Sequence, residues 1–213
     1  MVTEERKLYA AYGSNLNLEQ MAYRCPTAIV AGTAILPDKR LLFRGRNGGA
    51  VATVERRKGY IVPLLIWEIQ PKDEEALDIY EGYPQLYRKK TVRVNLDGKS
   101  VTAMIYIMNQ GCSENPPNIG YLNIIRKGYV SAGFDLKILQ KALKESTERG
   151  GNAMKPAIKE QILAIRKTGR TNMLDTNAVQ RIAFEMEFYE LVNFIEDNRK
   201  AYANFIFTGE TEP

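Results

Sequence analysis

Histidine is absent from the 213 residues. Its absence excludes Ser-His-Asp and Cys-His nucleophilic pairs, the HExxH zinc helix and His-bearing zinc sites in general. Acid–base chemistry is left to carboxylates, Lys, Tyr or Cys. Cysteine is scarce: Cys25 and Cys112 are too few for a disulfide framework and match no paired metal spacing, so a reducing compartment is expected. No run approaches 18 apolar residues, and Met1 to Lys7 lacks the apolar core of a signal peptide. The expectation is a cytoplasmic protein with no membrane span.

What is present is ordinary for a folded chain: 45% hydrophobic and 26% charged residues. The length allows one domain with a large appendage or two small ones. Net charge is +5, and the excess lies in the first 150 residues without forming a stripe. The basic triplets Arg56-Arg57-Lys58 and Arg88-Lys89-Lys90 sit beside predicted strands or turns and read as solvated strand ends. Nucleic acid is therefore disfavoured as a partner.

The first two thirds of the chain carry strand signals. Leu8 to Tyr12 is a short apolar run ending at Gly13. Ala28 to Leu36, Leu41 to Phe43, Ala50 to Val54 and Tyr60 to Ile69 follow, with Pro37-Asp38 and Arg46-Asn47-Gly48-Gly49 as turn signals. Thr91 to Leu96 and Lys99 to Met108 flank Asp97-Gly98, a strong hairpin signal. Seven strands at this spacing predict a barrel-like or strongly curved sheet. Helices are predicted from Asn17, where Asn17 and Gln20 can form a capping box, and over Asp73 to Glu81, ended by Gly82 and Pro84. After Pro116-Pro117 the periodicity turns helical at Ile119 to Ala132 and Leu136 to Ser146. Thr147 to Asn152 reads as a linker. Beyond it Ile158, Ile162 and Ile165 share a stripe, Asp175 caps a helix bearing Val179, Ile182 and Met186, and Tyr189, Val192 and Ile195 continue the pattern. The domains are set at 1–149 and 150–213.

Two places carry chemistry. A strand, the turn Tyr12-Gly13-Ser14-Asn15 and a helix start is an arrangement in which glycine allows close approach and free N–H groups attract an anion; the same arrangement also serves as a plain turn. Glu81, four residues after Leu77, lies at the edge of the apolar face of its helix. Partial desolvation there would raise its pKa and suit it to proton transfer, whereas an ordinary edge Glu would pair with a Lys or Arg. Cys25 reads as a packed thiol, Cys112 as incidental, and Tyr80, Tyr83 and Tyr87 as packing around a pocket mouth.

In order along the chain stand Tyr9-Ala10-Ala11-Tyr12-Gly13-Ser14-Asn15-Leu16, Arg24-Cys25-Pro26, Leu77-Asp78-Ile79-Tyr80-Glu81-Gly82-Tyr83-Pro84 with Tyr87-Arg88, Pro116-Pro117-Asn118-Ile119-Gly120-Tyr121-Leu122 and Gly128-Tyr129. This ordered set resembles the γ-glutamylcyclotransferase-like (AIG2-like) family over residues 7–145. The resemblance implies an α+β fold, a small mixed β-barrel with flanking helices. It also implies a lyase reaction that releases 5-oxoproline from a γ-glutamyl amine or γ-glutamyl amino acid with no cofactor and no metal. By position, Tyr12, Gly13, Ser14, Asn15 and Leu16 would hold the γ-glutamyl group, Glu81 would be the acid–base residue, and Tyr121 and Tyr87 would line the pocket. The pocket walls away from the glutamyl end are expected from loops 44–49 and 110–117. The other class of reading is a non-catalytic module holding a carboxylated or nucleotide-like metabolite in the same turn.

Residues 155–209 resemble a small uncharacterised helical module associated with this family in gut bacteria and their phages. That resemblance implies a small all-α C-terminal domain and no activity. Its apolar stripes are expected to dock on the barrel, on a second subunit in a homodimer or on a protein partner.

Overall fold

The computed structural model describes residues 6–149, 154 and 156–209. The chain divides into two compact units, residues 1–146 and 147–213.

In the first unit, β1 (Lys7–Ala11), β2 (Ile29–Arg44), β3 (Val51–Ile69), β4 (Tyr87–Leu96) and β5 (Lys99–Met108) form one sheet in the order β2-β3-β1-β5-β4. Among the described residues the only parallel neighbours are β1 and β5, meeting at Tyr9 and Met104. The seven expected strands are five, because two pairs of segments fuse. Pro37-Asp38 is not a turn between strands but an irregularity inside β2, where the register against β3 shifts. Residues 57–60 bulge opposite it, and the Gly59 N–H donates to the Asp38 carboxylate at 2.9 Å. The bulge absorbs the extra residues and the ladder continues on both sides.

The barrel expectation is corrected in one respect: the sheet is not closed. A second bulge at Val30 to Gly32 bends β2 toward the opposite edge strand. Gly32, at φ 148°, approaches so closely that a β-carbon would stand 2.8 Å from Leu96 Cδ1 on β4. Among the described residues these two edges touch without a ladder between them.

Five helical pieces flank the sheet. A 3-10 turn (Ser14–Leu16) leads into α1 (Leu18–Arg24), capped by the Asn17 side chain, which accepts from the Gln20 N–H. The Gln20 side chain does not complete a capping box; it accepts from Arg24 at 3.2 Å. Helix α2 (Pro71–Glu81) begins with a capping box between Gln70 and Asp73 and ends at Gly82 in the left-handed conformation. Helices α3 (Ile119–Ser131) and α4 (Leu136–Arg149) follow. Thr147 to Arg149, expected as linker, are the last residues of α4, and 150–152 lie outside the described residues. The core gathers Ala10, Phe43, Leu64, Ile66, Leu77, Ile105 and Tyr129, all inaccessible to solvent.

The second unit is helical: α5 (Pro156–Thr168), α6 (Thr176–Glu185), α7 (Tyr189–Asp197) and α8 (Arg199–Thr208). Its own core contains Ile158, Ile162, Ile165, Val179, Ile182, Leu191, Phe194, Ile195 and Tyr202. Asp175 caps α6 by accepting from the Ala178 N–H at 3.0 Å. Tyr189, expected on the buried stripe, is exposed and stacks edge-on against Phe184. Leu191 and Phe194 take the inward positions beside Ile195, which is buried as expected. No helix among the described residues is long and apolar enough to cross a membrane.

Candidate active site

Strand β1 ends at Ala11, and the chain turns sharply through Tyr12 and Gly13 into the 3-10 turn. The Leu16 N–H donates to the Gly13 carbonyl (3.1 Å) and the Asn17 N–H to that of Ser14 (3.0 Å). The N–H groups of Gly13, Ser14 and Asn15 have no acceptor among the described residues. They are donors without a partner in a sharp turn that lines a cavity, and free backbone donors in such a turn are what holding an anion requires locally. A β-carbon on Gly13 would lie 3.3 Å from Ala52 Cβ and 3.6 Å from the Tyr121 hydroxyl, so glycine leaves room where the turn faces the pocket wall.

The turn faces a small cavity of about 20 Å³, open at one side, lined by Tyr9, Tyr12, Gly13, Ser14, Asn15, Ala52, Glu81, Tyr87, Tyr106 and Tyr121. That enclosed volume holds little more than a water molecule. With the mouth included the unfilled space is about 270 Å³, so a larger guest extends outward from the turn.

Glu81 enters from the last residue of α2. Several contacts dock this helix on the sheet: Leu77 is fully buried, the Asp78 carboxylate accepts from the Tyr106 hydroxyl at 2.6 Å and from Lys89 at 2.8 Å, and the Glu74 carboxylate accepts from Lys7 at 2.8 Å and from Lys89. Glu81 as a residue is half-buried, but its carboxyl group is the enclosed part, accepting from Asn15 Nδ2 at 2.8 Å. Burial pushes its pKa up to about 7, against the opposing pull of the Arg24 charge and the Asn15 hydrogen bond. A carboxyl group poised there exchanges protons near neutral pH. The surrounding tyrosines are kept neutral. Burial above all, with the negative Glu81 next, pushes Tyr9 and Tyr12 well above their ordinary pKa.

Of the expected site residues, Tyr12, Gly13, Ser14, Asn15, Glu81, Tyr87 and Tyr121 all line this one cavity. The Tyr87 hydroxyl donates to the Ala52 carbonyl at 2.6 Å, and the Tyr121 hydroxyl accepts from the Ala52 N–H at 3.2 Å. Leu16 does not line it. Its side chain is fully buried in the core and its N–H closes the turn, so it shapes the site from behind. Loops 44–49 and 110–117 are tied to each other, with Gly45 N–H on the Ser113 carbonyl and Gly48 N–H on that of Pro116, yet neither supplies a lining residue. Tyr80 touches Ser14 Oγ at 3.0 Å, while Tyr83 lies half exposed under Lys89. Cys25 is packed, its thiol pushed up to about 12 chiefly by burial.

Residue spacing left several participants unassigned. Tyr9 and Tyr106 complete the aromatic wall at edge-on geometry, 5.8 Å between ring centres. Ala52, a small residue in β3, offers both its backbone groups to the site. Arg24, on α1, donates to Asn15 Oδ1 and stacks on the Tyr80 ring. The signal for Tyr106 is an aromatic in a strand between two apolar residues, Ile105 and Ile107; for Ala52 there is none.

Comparisons with known proteins bear on the family and the fold. A family model described as "Gamma-glutamyl cyclotransferase, AIG2-like" matches residues 9–125, and one described as "Domain of unknown function (DUF5049)" matches residues 154–210. A gamma-glutamylcyclotransferase of Homo sapiens is 31% identical over 182 residues, covering 80% of this chain and 93% of that relative. One of Bos taurus is 32% identical over 174 residues, covering 78% and 90%. A solved structure of a gamma-glutamyl cyclotransferase superposes with a TM-score of 0.59 at 32% identity, covering 66% of this chain and 87% of that one. YkqA from Bacillus subtilis superposes with a TM-score of 0.57 at 19% identity over 68% of this chain and 55% of that one, a likeness of fold alone.

Proposed function

Since the chain belongs to the gamma-glutamyl cyclotransferase, AIG2-like family of enzymes, we propose that its cavity converts a γ-glutamyl amine or γ-glutamyl amino acid into 5-oxoproline and a free amine, with Glu81 as the catalytic acid–base. The substrate's α-carboxylate sits on the N–H groups of Gly13, Ser14 and Asn15. The rest of the glutamyl chain folds back so that its α-nitrogen meets its own γ-carbonyl.

The reaction needs no protein nucleophile. The α-ammonium loses two protons in becoming the N–H of the ring amide, and the departing nitrogen gains two in leaving as an ammonium. A new C–N bond forms as the old one breaks, and the protons pass from the first nitrogen to the second. One carboxyl group with a pKa near neutrality can accept from the one and donate to the other. Holding amine and carbonyl in contact supplies the orientation, and the wall of neutral tyrosines excludes water, so that dipoles facing the developing oxyanion act in a low dielectric. The absence of histidine costs this chemistry nothing.

The observation that carries the reading is the enclosed Glu81 carboxyl, raised to about 7 by burial, across a narrow cavity from three donors without acceptors. The test is to incubate the purified full chain with a panel of γ-glutamyl amines and γ-glutamyl amino acids and measure 5-oxoproline. Release from at least one compound is expected. Tight retention of a γ-glutamyl compound without conversion would favour a binding module, and no release from any compound would overturn the enzyme reading.

A further inference from the structure

Resting on that reading, we infer that Arg24 is a positioning residue: it locks the Asn15 carboxamide in the one orientation that makes it a donor to Glu81, and so holds Glu81 in its proton-accepting form. The inference follows from the hydrogen-bond inventory of one amide. Asn15 is 2% exposed. Its Nδ2 donates both hydrogens, to the Tyr9 hydroxyl and to Glu81 Oε1, each at 2.8 Å. Its Oδ1 accepts from Arg24 Nη1, and its main-chain carbonyl accepts from Trp67 Nε1 at 3.1 Å.

A carboxamide can turn over, exchanging oxygen and nitrogen at almost no cost in shape. Turned over here, its oxygen would face the Glu81 carboxylate and its NH2 would face a guanidinium, two repulsive contacts in a buried place. Arg24 therefore selects one orientation. Without Arg24 the turned amide becomes acceptable whenever Glu81 is protonated, because Oδ1 then accepts from the carboxyl O–H. Loss of Arg24 thus stabilises the protonated acid in two ways, by freeing this alternative and by removing a nearby positive charge.

Arg24 is itself held in place. Its guanidinium lies over the Tyr80 ring, 3.3 Å from the centroid, and Nη2 donates to Gln20 Oε1 at 3.2 Å, one turn back along α1. The other titratable groups facing Glu81 are Tyr9 and Tyr12 from β1 and its end, Tyr87 from β4, Tyr106 from β5 and Tyr121 from α3, with Tyr80 on its own helix. Burial drives the first five far above neutrality. Near pH 7 the charges on this cluster are those of Glu81 and Arg24.

The test uses the full chain with carboxyl-labelled glutamate, following Glu81 by NMR across pH and assigning its signal by its loss in Glu81→Gln. Arg24→Met is expected to raise the Glu81 midpoint by about 1 pH unit. It should carry the acid limb of kcat/KM up with it, so that below both midpoints kcat/KM falls about tenfold while at high pH it recovers. Arg24→Lys, which keeps a charge and a donor, should fall between Arg24→Met and the wild type. If Arg24→Met does not fold, Arg24→Leu, shorter and likewise without charge or hydrogen-bond donor, carries the same comparison. An unmoved midpoint overturns the inference, including when activity drops equally at every pH, which is the signature of a merely structural arginine. If the wild type releases no 5-oxoproline, the titration still decides the role of Arg24, and only the catalytic reading fails.

Discussion

Gly128 of α3 lies directly against Leu16, so close that a β-carbon there would stand 2.7 Å from the Leu16 carbonyl carbon and 3.0 Å from the Asn17 nitrogen. The atoms it would strike are largely backbone, which has no rotamer to yield. This glycine sets the depth at which the 3-10 turn sits behind the cavity. Gly128→Ala is therefore expected to push the turn toward the pocket, destabilising the protein by about 1–3 kcal/mol as overpacked cores do. Urea unfolding would measure the loss of stability, and kcat/KM should fall with it.

Glu81 gives a stability signature with a definite sign. Its folded pKa, about 7, lies above the ordinary carboxylate value. The folded state therefore binds the proton more tightly than the unfolded chain, and this contribution is fully present below the unfolded pKa and lost as pH rises through about 7. Glu81→Gln removes the cost of burying the charge. The variant should match the wild type near pH 4 and exceed it at pH 8, on the order of 1–3 kcal/mol. Thermal unfolding at the two pH values reads the difference.

Much of this architecture is legible in the sequence. The Asn17 and Asp175 caps, the Gly82 stop and the Asp97-Gly98 hairpin are local, and each falls where the residues put it. The long β2–β3 hairpin was not legible. Pro37-Asp38 has turn composition, and only the bulge at residues 57–60, some twenty residues away, makes it an interruption instead. The site divides in the same way. The Gly13 turn and the helix-edge position of Glu81 are local features, but the Asn15 contact to Glu81 spans 66 residues and the Tyr12 contact to the Tyr106 carbonyl spans 94. No periodicity encodes such pairings.

Tyr121 contributes through one atom. Its hydroxyl accepts from the Ala52 N–H and stands beside Gly13. Tyr121→Phe leaves that N–H without its acceptor, at a cost of about 1–3 kcal/mol if no water replaces it. It also removes a donor from the cavity wall, so kcat should fall together with stability. Calorimetry and steady-state kinetics on the same preparation would show both.

The helical unit has a core of its own, distinct from that of the sheet unit. Deleting residues 151–213 is expected to leave 5-oxoproline release within about threefold of the full chain, because every residue lining the cavity lies between Tyr9 and Tyr121. Circular dichroism on the shortened chain would confirm that the sheet unit still folds, and an assay of both forms would compare their rates. A loss of activity in a folded truncation would assign the helical unit a part in turnover.

The most direct test is the single-turnover rate of 5-oxoproline release by the wild type and by Glu81→Gln, on whichever γ-glutamyl compound the full chain converts best, followed from pH 5 to pH 9. The wild-type rate should rise through a midpoint near 7, and the variant should be slower by about 10² to 10⁴ at every pH. A Glu81→Gln protein that turns over at the wild-type rate would contradict the account, because the proton would then travel by another route.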